Sequence, residues 1–398
     1  MRGRGSFFVA IVLSVTIVVA GLSLASGAKL SGSTKVGFDP FDVAAGDFNR
    51  DGRTDLAVAN FASSSDPASK TSITILAGKK GGGYKAVKTL PSAQPDGIEV
   101  ARVGSGKEPD LVVSAFTGEV EVYKGGKGFK FSGPRSTAVG GTPRDLVADD
   151  FNHDARTDVA VTRDTDDVRV LYGTKGSKGF GNPQSFAGAS DGGSIVLSRL
   201  NRGTLPDLVA TNRTTGKITV MLGKKHGGFK TKSYKVPNAT SVAIDDFDQD
   251  GNKDVAVVSG NPAIRGSRAG GNSKPAITVF KGSASGKLKK DRKFRPKGVP
   301  SSFGYQLIAA RLGKDPDPSL VLAGSTSGSD RSARRAGDKG YVMVLKGGHG
   351  TAFEAGKQLK VSGNPFKFGL IARSKGDQVA IPLLSQTSRG SVRILSGK

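Results

Sequence analysis

Short apolar runs, six of them opening with aspartate, recur along the chain at intervals of 47 to 65 residues. Each is followed by a turn and a second run in which apolar residues alternate with polar or charged ones, the period of a half-buried β-strand. The first set comprises Asp55-Leu-Ala-Val, Asp110-Leu-Val-Val, Asp158-Val-Ala-Val, Asp207-Leu-Val-Ala, Asp254-Val-Ala-Val, Ser319-Leu-Val-Leu and Asp377-Gln-Val-Ala. The second comprises Ile73-Thr-Ile-Leu, Val120-Glu-Val-Tyr, Val168-Arg-Val-Leu, Ile218-Thr-Val-Met, Ile277-Thr-Val-Phe, Val342-Met-Val-Leu and Val392-Arg-Ile-Leu. The chain therefore contains seven copies of one β unit.

Four short strands in a unit of roughly 50 residues are the content of a propeller blade. The helical period of 3.6 is missing, which excludes a helical solenoid, and a β-sandwich does not normally repeat one unit seven times. We predict an all-β, seven-bladed β-propeller of four-stranded antiparallel blades over residues 29–398. The seventh unit stops after its third strand, and the segment Thr34 to Phe38 has no blade of its own. We expect this N-terminal strand to join the last blade and close the ring.

Residues 1–28 have the layout of a secretory signal peptide. Arg2 and Arg4 give a basic start, an apolar run extends from Phe7 to Leu24, and small residues follow up to Ala28. Cleavage there predicts a secreted protein with no membrane span, because no other segment is long and apolar enough to cross a bilayer. The alternative is a retained anchor that holds the protein at the cell surface. The chain has no cysteine, so its stability must come from packing or bound metal.

Three units carry an acidic loop between their first and second strands. Oxygen-bearing side chains occupy loop positions 1, 3, 5 and 9, and position 7 can offer its backbone carbonyl. Ca²⁺ takes about six to eight oxygen ligands, and alternate residues of a tight loop converge on one point. We predict up to three structural Ca²⁺ ions, held by Asp47, Asn49, Asp51, Arg53 and Asp55, by Asp150, Asn152, Asp154, Arg156 and Asp158, and by Asp246, Asp248, Asp250, Asn252 and Asp254.

The alternative interpretation of these loops is an Asx-rich turn that binds no metal. They are not EF-hand loops, because the twelfth position, where an EF-hand has a bidentate glutamate, is Val58, Val161 or Val257. A glycine at position 6 permits the sharp turn. Ala155 replaces it in the third unit, which leaves calcium binding by that loop open.

The motif Asp-Phe-Asn-x-Asp-Gly-x-x-Asp-Leu-Ala-Val resembles the FG-GAP/VCBS repeat of integrin-α-like seven-bladed propellers. The resemblance covers residues 29–398 and is specific in blades one, three and five. It implies that the ion braces the connection between the first two strands of a blade and is structural. The other four blades should bind no metal, because their loops have decayed to Gly104-Ser-Gly-Lys-Glu-Pro, Asn201-Arg-Gly-Thr-Leu-Pro, Gly313-Lys-Asp-Pro-Asp-Pro and Arg373-Ser-Lys-Gly.

Positive charge is in large excess, with 59 lysines and arginines against 34 acidic residues and a net charge of +25. Such a surface attracts polyanions. Antiparallel pairing puts the hairpins between strands three and four on the face of the acidic loops. Their lysines form a candidate polyanion surface: Lys79, Lys80, Lys127, Lys175, Lys178, Lys224, Lys225, Lys281 and Lys287. Two long loops on the opposite face, 260–274 and 324–339, carry Arg265, Arg268, Arg331, Arg334 and Arg335. The alternatives are solvated hairpin tips and disordered loops.

Catalytic groups cannot be singled out from the sequence. There is no thiol nucleophile, and the three histidines lie in an acidic loop (His153) or in glycine-rich turns (His226 and His349). No specific nucleic-acid motif is present. We therefore predict a non-enzymatic, secreted, monomeric calcium-binding propeller that acts as an extracellular interaction scaffold for an unknown protein or anionic polymer. The alternative is a hydrolase or lyase acting on an anionic polysaccharide.

Overall fold

Seven small antiparallel sheets make up the part of the chain that this computed structural model describes. It comprises residues 29–61, 70–177, 179–188, 193–260, 275–299, 303–312, 317–325, 339–348, 350–362, 364–365, 367–371, 377–384 and 391–396. Six sheets are blades of four strands in chain order, and the seventh combines strands from both ends of the chain. The all-β, seven-bladed prediction is confirmed. The predicted signal peptide and the arginines of the two long loops lie outside the described residues.

The strands follow one another blade by blade. Two short strands come first, β1 (Lys29–Leu30) and β2 (Thr34–Lys35). Blade one comprises β3 (Pro40–Gly46), β4 (Asp55–Asn60), β5 (Ser72–Gly78) and β6 (Tyr84–Pro91), and blade two β7 (Pro95–Ala101), β8 (Asp110–Ala115), β9 (Glu119–Gly126) and β10 (Lys130–Ala138). Blade three comprises β11 (Pro143–Asp149), β12 (Asp158–Arg163), β13 (Asp167–Leu171) and β14 (Gln184–Ala187), with a 3₁₀ turn at Lys175–Ser177. Blade four comprises β15 (Ile195–Ser198), β16 (Asp207–Asn212), β17 (Lys217–Gly223) and β18 (Phe229–Lys235).

The last three blades repeat the arrangement. Blade five comprises β19 (Ala239–Asp245), β20 (Asp254–Ser259), β21 (Ala276–Lys281) and β22 (Lys289–Phe294). Blade six comprises β23 (Phe303–Ala310), β24 (Ser319–Ser325), β25 (Lys339–Gly347) and β26 (Phe353–Ser362). Blade seven contains β27 (Asn364–Pro365), β28 (Gly369–Ile371), β29 (Gln378–Leu384) and β30 (Ser391–Ser396).

The ring closes where both ends of the chain enter blade seven. β30 pairs with β29 on one side and with β1 and β2 on the other, with Thr34 opposite Val392. The N-terminal closure is confirmed, but β2 is shorter than the predicted segment, and β1 adds a second pairing. Val36 packs against Val392 in the core instead of continuing the strand. Gly37 lies so close to Asn60 that a Cβ there would be 2.6 Å from the Asn60 Cγ.

The hydrophobic core lies between the blades. Each of its seven clusters joins residues of two neighbouring blades, including the pair formed by blades seven and one. The second strands are sandwiched on both faces, so every residue of β4, β8, β12, β16 and β20 is buried. This explains why these strands have continuous apolar sequences rather than an alternating pattern.

A buried aspartate at the start of the second strand ties together each of blades one to five. In blade two, the Asp110 carboxylate accepts the Val103 N–H at 2.8 Å and the Gly125 N–H at 2.7 Å. It thereby fixes the connection between strands one and two to the end of strand three. The same two bonds recur at Asp55, Asp158, Asp207 and Asp254.

The phenylalanine that follows the first aspartate of each acidic loop wedges into the next blade. Phe48, Phe151 and Phe247 are almost completely buried. Their rings pack edge-on against a phenyl ring of the following blade's outer strand, at centroid distances of 5.7 Å for Phe131, 5.9 Å for Phe229 and 5.3 Å for Phe353. Blades one and two, three and four, and five and six are therefore joined in pairs by the same contact.

Asp110→Asn tests the aspartate contact in a blade that has no acidic loop. The amide would set an N–H donor against a backbone N–H and remove the charge that strengthens both bonds, so we expect a loss of about 2–4 kcal/mol in unfolding free energy. Urea denaturation measures it, and the loss should be equal with and without a chelator. Exposed Asp166→Asn is the control and should stay within about 0.5 kcal/mol of the wild type. Equal stabilities of the two variants would contradict the role assigned to Asp110.

Candidate functional site

The three acidic loops share one backbone geometry on one face of the ring. Positions 4 and 6 are left-handed in each, with φ of 61° and 79° at Arg50 and Gly52, and 61° and 85° at Gln249 and Gly251. Ala155 adopts a φ of 62°, so the loop of blade three keeps the shape of the other two without a glycine. The substitution that left this loop in question therefore does not alter its fold.

In blades one and three the arginine at position 7 lies against the loop's own carboxylate. The Arg53 guanidinium donates to the Asp51 carboxylate and, through Nε, to the Gly78 carbonyl at 3.1 Å. Arg156 makes the same contacts with Asp154 and, at 2.9 Å, with the Gly173 carbonyl. Each of these two loops thus contains a side-chain cation that competes with a metal ion for the position 5 carboxylate.

The loop of blade five has a different charge arrangement. Carboxylate oxygens of Asp246, Asp248 and Asp254 lie within 4.8 Å of one another, and this is the one such acidic group in the described part of the chain. The Asp246 Oδ1 is buried without a hydrogen-bond partner. Position 7 is the uncharged Asn252, and the nearest competing cation is Lys281, whose Nζ lies 2.8 Å from Asp248.

Burial makes two carboxylates of this loop, Asp246 and Asp254, costly to ionise. Burial, opposed by the Gly282 N–H, raises the pKa of Asp254 to about 7, and burial also raises the pKa of Asp246. A divalent cation favours the ionised forms and would relieve the repulsion among the three carboxylates. The donor set, oxygen only and with one buried oxygen unpartnered, fits a hard cation. The Asp246, Asp248 and Asp254 triad could therefore hold a metal ion.

The sequence interpretation treated position 9 as a metal ligand like the others, but its aspartate also has a second role. Asp55, Asp158 and Asp254 each accept the two backbone N–H groups described above, as do Asp110 and Asp207 in blades whose loops have decayed. In blades one to five the position therefore serves the fold whether or not a metal binds. The signal was present in the sequence, because the aspartate persists in the decayed blades two and four.

An arginine replaces the first aspartate of the loop in three blades whose loops have decayed, a feature that the sequence interpretation missed. Arg102, Arg199 and Arg311 stand eight residues before the start of the second strand, where Asp47, Asp150 and Asp246 stand in the other blades. The Arg311 Nη2 lies 3.4 Å from Asp245, a fully buried carboxylate at the end of blade five's first strand. A fixed cation thus occupies the ligand position and neutralises an acid of the preceding blade.

A second acidic cluster, also missed, lines the central channel at the end opposite the loops. The innermost strands enclose a cavity of about 230 Å³, and Asp42, Glu99 and Asp145 line it. Asp42 and Asp145 each accept a backbone N–H of the next blade, at 3.0 Å from Ile98 and Ile195. The Lys367 Nζ lies 3.3 Å from Asp145. Burial, with Asp42 and Asp145 adding repulsion, raises the pKa of Glu99 well above its usual range.

Comparison with known proteins agrees with this geometry. Residues 40–76, which span β3 to most of β5, match the FG-GAP repeat family. This segment is an FG-GAP repeat. The match agrees with the integrin-α-like resemblance of the sequence, and FG-GAP repeats are typical of extracellular proteins. No curated protein matches the chain, and no helix among the described residues has the length and hydrophobicity needed to cross a bilayer.

Solved structures of the same fold include BBS1N in complex with ARL6DN, with a TM-score of 0.57, 12% identity and coverage of 94% of this chain and 97% of that one. The structure of U3-55K has a TM-score of 0.59 and 10% identity, and covers 94% of this chain and 99% of the other. The RRP9 WD40 repeats are similar at a TM-score of 0.59 and 10% identity, with coverage of 96% and 99%. At these identities the likeness concerns the fold alone.

The loop of blade five should bind divalent cations more tightly than the FG-GAP loop of blade one. Asp248→Asn should remove the tightest site, because it breaks the carboxylate triad, whereas Asp51→Asn should leave that site intact. Arg53→Gln should strengthen binding at blade one severalfold by removing the competing guanidinium. Titration calorimetry of chelator-treated protein measures all three. Loss of the tightest site in Asp51→Asn alone would contradict this order.

Proposed function

We propose that the chain, after removal of residues 1–28, is a secreted, calcium-braced β-propeller that serves as an extracellular interaction scaffold without catalytic activity. The observation that carries the proposal is the loop of blade five, where three carboxylates converge and one buried oxygen of Asp246 has no partner. The FG-GAP repeat of blade one supports the same reading, because scaffolds of this kind suggest a role in binding.

Calcium suits the donor set better than other metals. The loop offers carboxylates, an amide and backbone carbonyls, with no nitrogen or sulfur ligand, and Ca²⁺ accepts an irregular shell of oxygens. Asp246, Asp248, Asp250 and Asp254, with the carbonyl of Asn252, would hold the ion. Because Asp254 also accepts the Phe247 and Gly282 N–H groups, an ion there would brace three strands of the blade.

The scaffold role rests on the shape and charge of the rim and faces. A closed ring with its core between the blades is a rigid platform, and binding residues tend to lie on the loops of such platforms. The excess of basic residues favours an anionic partner, either a protein or a polymer. The sequence has no thiol nucleophile, and His153 and His226 lie in a loop and a turn, which supports a non-catalytic role.

Calcium should stabilise the folded protein. A ligand that binds only the native state adds about 2.7 kcal/mol per site at a hundredfold excess over Kd. Chelation should therefore lower the melting temperature. The double variant Asp246→Asn, Asp248→Asn should reproduce most of this decrease in melting temperature in the presence of calcium. Differential scanning calorimetry with and without chelator measures this. A melting curve that does not change on chelation would refute calcium bracing.

Binding without turnover should distinguish the scaffold from the alternative hydrolase or lyase. A column of the immobilised protein should retain an anionic polysaccharide. The same polysaccharide should keep its chain length after prolonged incubation with the purified protein. Size-exclusion chromatography of the polymer, with heat-denatured protein as the control, measures chain length. Shortened polymer would favour the enzyme and contradict the proposed role.

A further inference from the structure

The outer strands of blades four and five put lysines on facing sides of one groove. In blade four, Lys230 and Lys232 lie opposite Leu222 and Val220 on the neighbouring strand. Cross-strand partners share a face of the sheet, and Leu222 and Val220 belong to the core cluster between blades four and five. The two lysines therefore project on the side of blade four that faces blade five.

The same register argument applies from the other side. In blade five, Lys290 lies opposite Phe280 and Lys293 opposite Thr278. Phe280 belongs to the same core cluster, and Thr278 lies on the same side of its strand, two residues away. Lys290 and Lys293 therefore project toward blade four, and all four exposed lysines border one groove.

A tyrosine holds the two outer strands together at the floor of this groove. The Tyr234 hydroxyl accepts the Leu288 N–H at 3.0 Å, and its ring lies 5.7 Å from that of Phe280. The Lys232 Nζ lies over the Tyr234 ring, 5.2 Å from its centroid. The lysines are thus attached to strands of the sheets rather than to hairpin turns.

No carboxylate compensates this charge within the described part of the chain, where none of the four lysines forms an ion pair. The one acid on the outer strand of blade five, Asp291, is bonded to Thr351 of blade six and paired with Arg292 at 3.5 Å. Like charges gathered on facing strands repel one another. The groove is therefore an electrostatically unfavourable arrangement that an anion would relieve.

The adjacent grooves are built differently. Between blades three and four, the facing outer-strand positions are Gln184, Phe186, Thr231 and Ser233, and Lys235 at the end of blade four's outer strand is the one lysine of that strand on this side. Between blades five and six, blade five contributes Lys289 and Arg292 and blade six Lys360, and Asp291 of the same outer strand pairs with Arg292 at 3.5 Å. The groove between blades four and five differs from both in that each blade contributes two lysines and none of the four has a carboxylate partner among the described residues.

We propose that the groove between blades four and five binds a single-chain acidic polysaccharide through Lys230, Lys232, Lys290 and Lys293. This inference rests on the proposed scaffold function and assigns it a surface and a class of partner. It replaces the hairpin lysines of the calcium-loop face as the principal polyanion surface.

The chemistry of the groove selects this partner. The four lysines lie on two facing strands along one boundary between blades, so they present a narrow double row of charge that one extended chain can follow. Lysine acts as a compact point charge and needs no planar acceptor, so sulfates or carboxylates along a flexible chain suit it. Because Lys232 covers the Tyr234 ring, the groove floor offers no open aromatic platform for a nucleic-acid base.

The test uses two double variants. The groove variant combines Lys232→Gln and Lys293→Gln and removes two groove charges, and the control variant combines Lys235→Gln and Lys289→Gln. The control pair lies on the same two strands, opposite Lys217 and Lys281, and faces away from the groove. Binding of labelled heparin and labelled hyaluronate is measured by fluorescence anisotropy over a series of salt concentrations, with calcium present. The groove variant should bind about tenfold more weakly at low salt, and its log Kd against log salt slope should fall by about 1.4, at about 0.7 per charge as for single-stranded polyanions.

The control variant should bind within about twofold of the wild type, and both variants should melt no lower than the wild type. The relative affinities for heparin and hyaluronate then tell whether sulfates or carboxylates are preferred. Equal losses of affinity in both variants would overturn the inference, because they would indicate an effect of net charge alone. A loss of affinity seen only in a Lys79→Ser, Lys80→Ser double variant would also overturn it, because it would place binding on the hairpins of the calcium-loop face. Tighter binding of oligo-dT than of either polysaccharide would overturn the class of partner. Absence of any polysaccharide binding by the wild type would overturn the groove and the anionic-polymer partner of the proposed function, whereas calcium stabilisation and a protein partner would be tested separately by calorimetry and by protein binding.

Discussion

Blades one to five each depend on a buried carboxylate that accepts two backbone N–H groups from different parts of the blade. A neutral side chain of the same size would leave at least one donor unsatisfied in the core, which is why the position stays acidic in blades two and four, where the rest of the loop has decayed. Asp110 and Asp207 show this directly, since their blades have lost the other loop acids. The metal loop is thus built on a contact that exists without the metal.

This contact explains how acidic loops and arginines can alternate around one ring. In blades one to five, where the aspartate holds the strands, the first loop position carries either charge, and blade six carries an arginine there with Ser319 in place of the aspartate. In blades one, three and five it is an aspartate followed by a phenylalanine wedge, and in the next blade it is an arginine. Arg311, next to the buried Asp245, shows the result: a side-chain cation in one blade stabilises an acid at the end of the preceding blade. The ring is accordingly organised in three pairs of blades, with blade seven as the seam.

The repeat made the architecture predictable, because seven copies of an Asp-led apolar run define the second strand of each blade and fix the strand order. The outer-strand closure followed from counting strands, although the extra pairing of Lys29 and Leu30 had no signal in so short and polar a segment. The charge state of the loops was not predictable, since only the structure brings Arg53 onto Asp51 and gathers the triad of blade five. Lys232 and Lys293 are far apart in sequence, so their shared groove depends on register.

The same geometry explains why acidic and basic side chains differ in location and role. Many of the acidic residues have internal tasks: they cap backbone N–H groups at strand junctions, line the channel or form the loops. Many lysines of the outer strands have no such task and remain exposed. The surface is therefore more positive than the net charge alone indicates. If calcium occupies the loops, it neutralises acids that lie on the surface and makes the exterior still more positive. Calcium bracing and recognition of an acidic chain then favour one another electrostatically, although they use different parts of the ring.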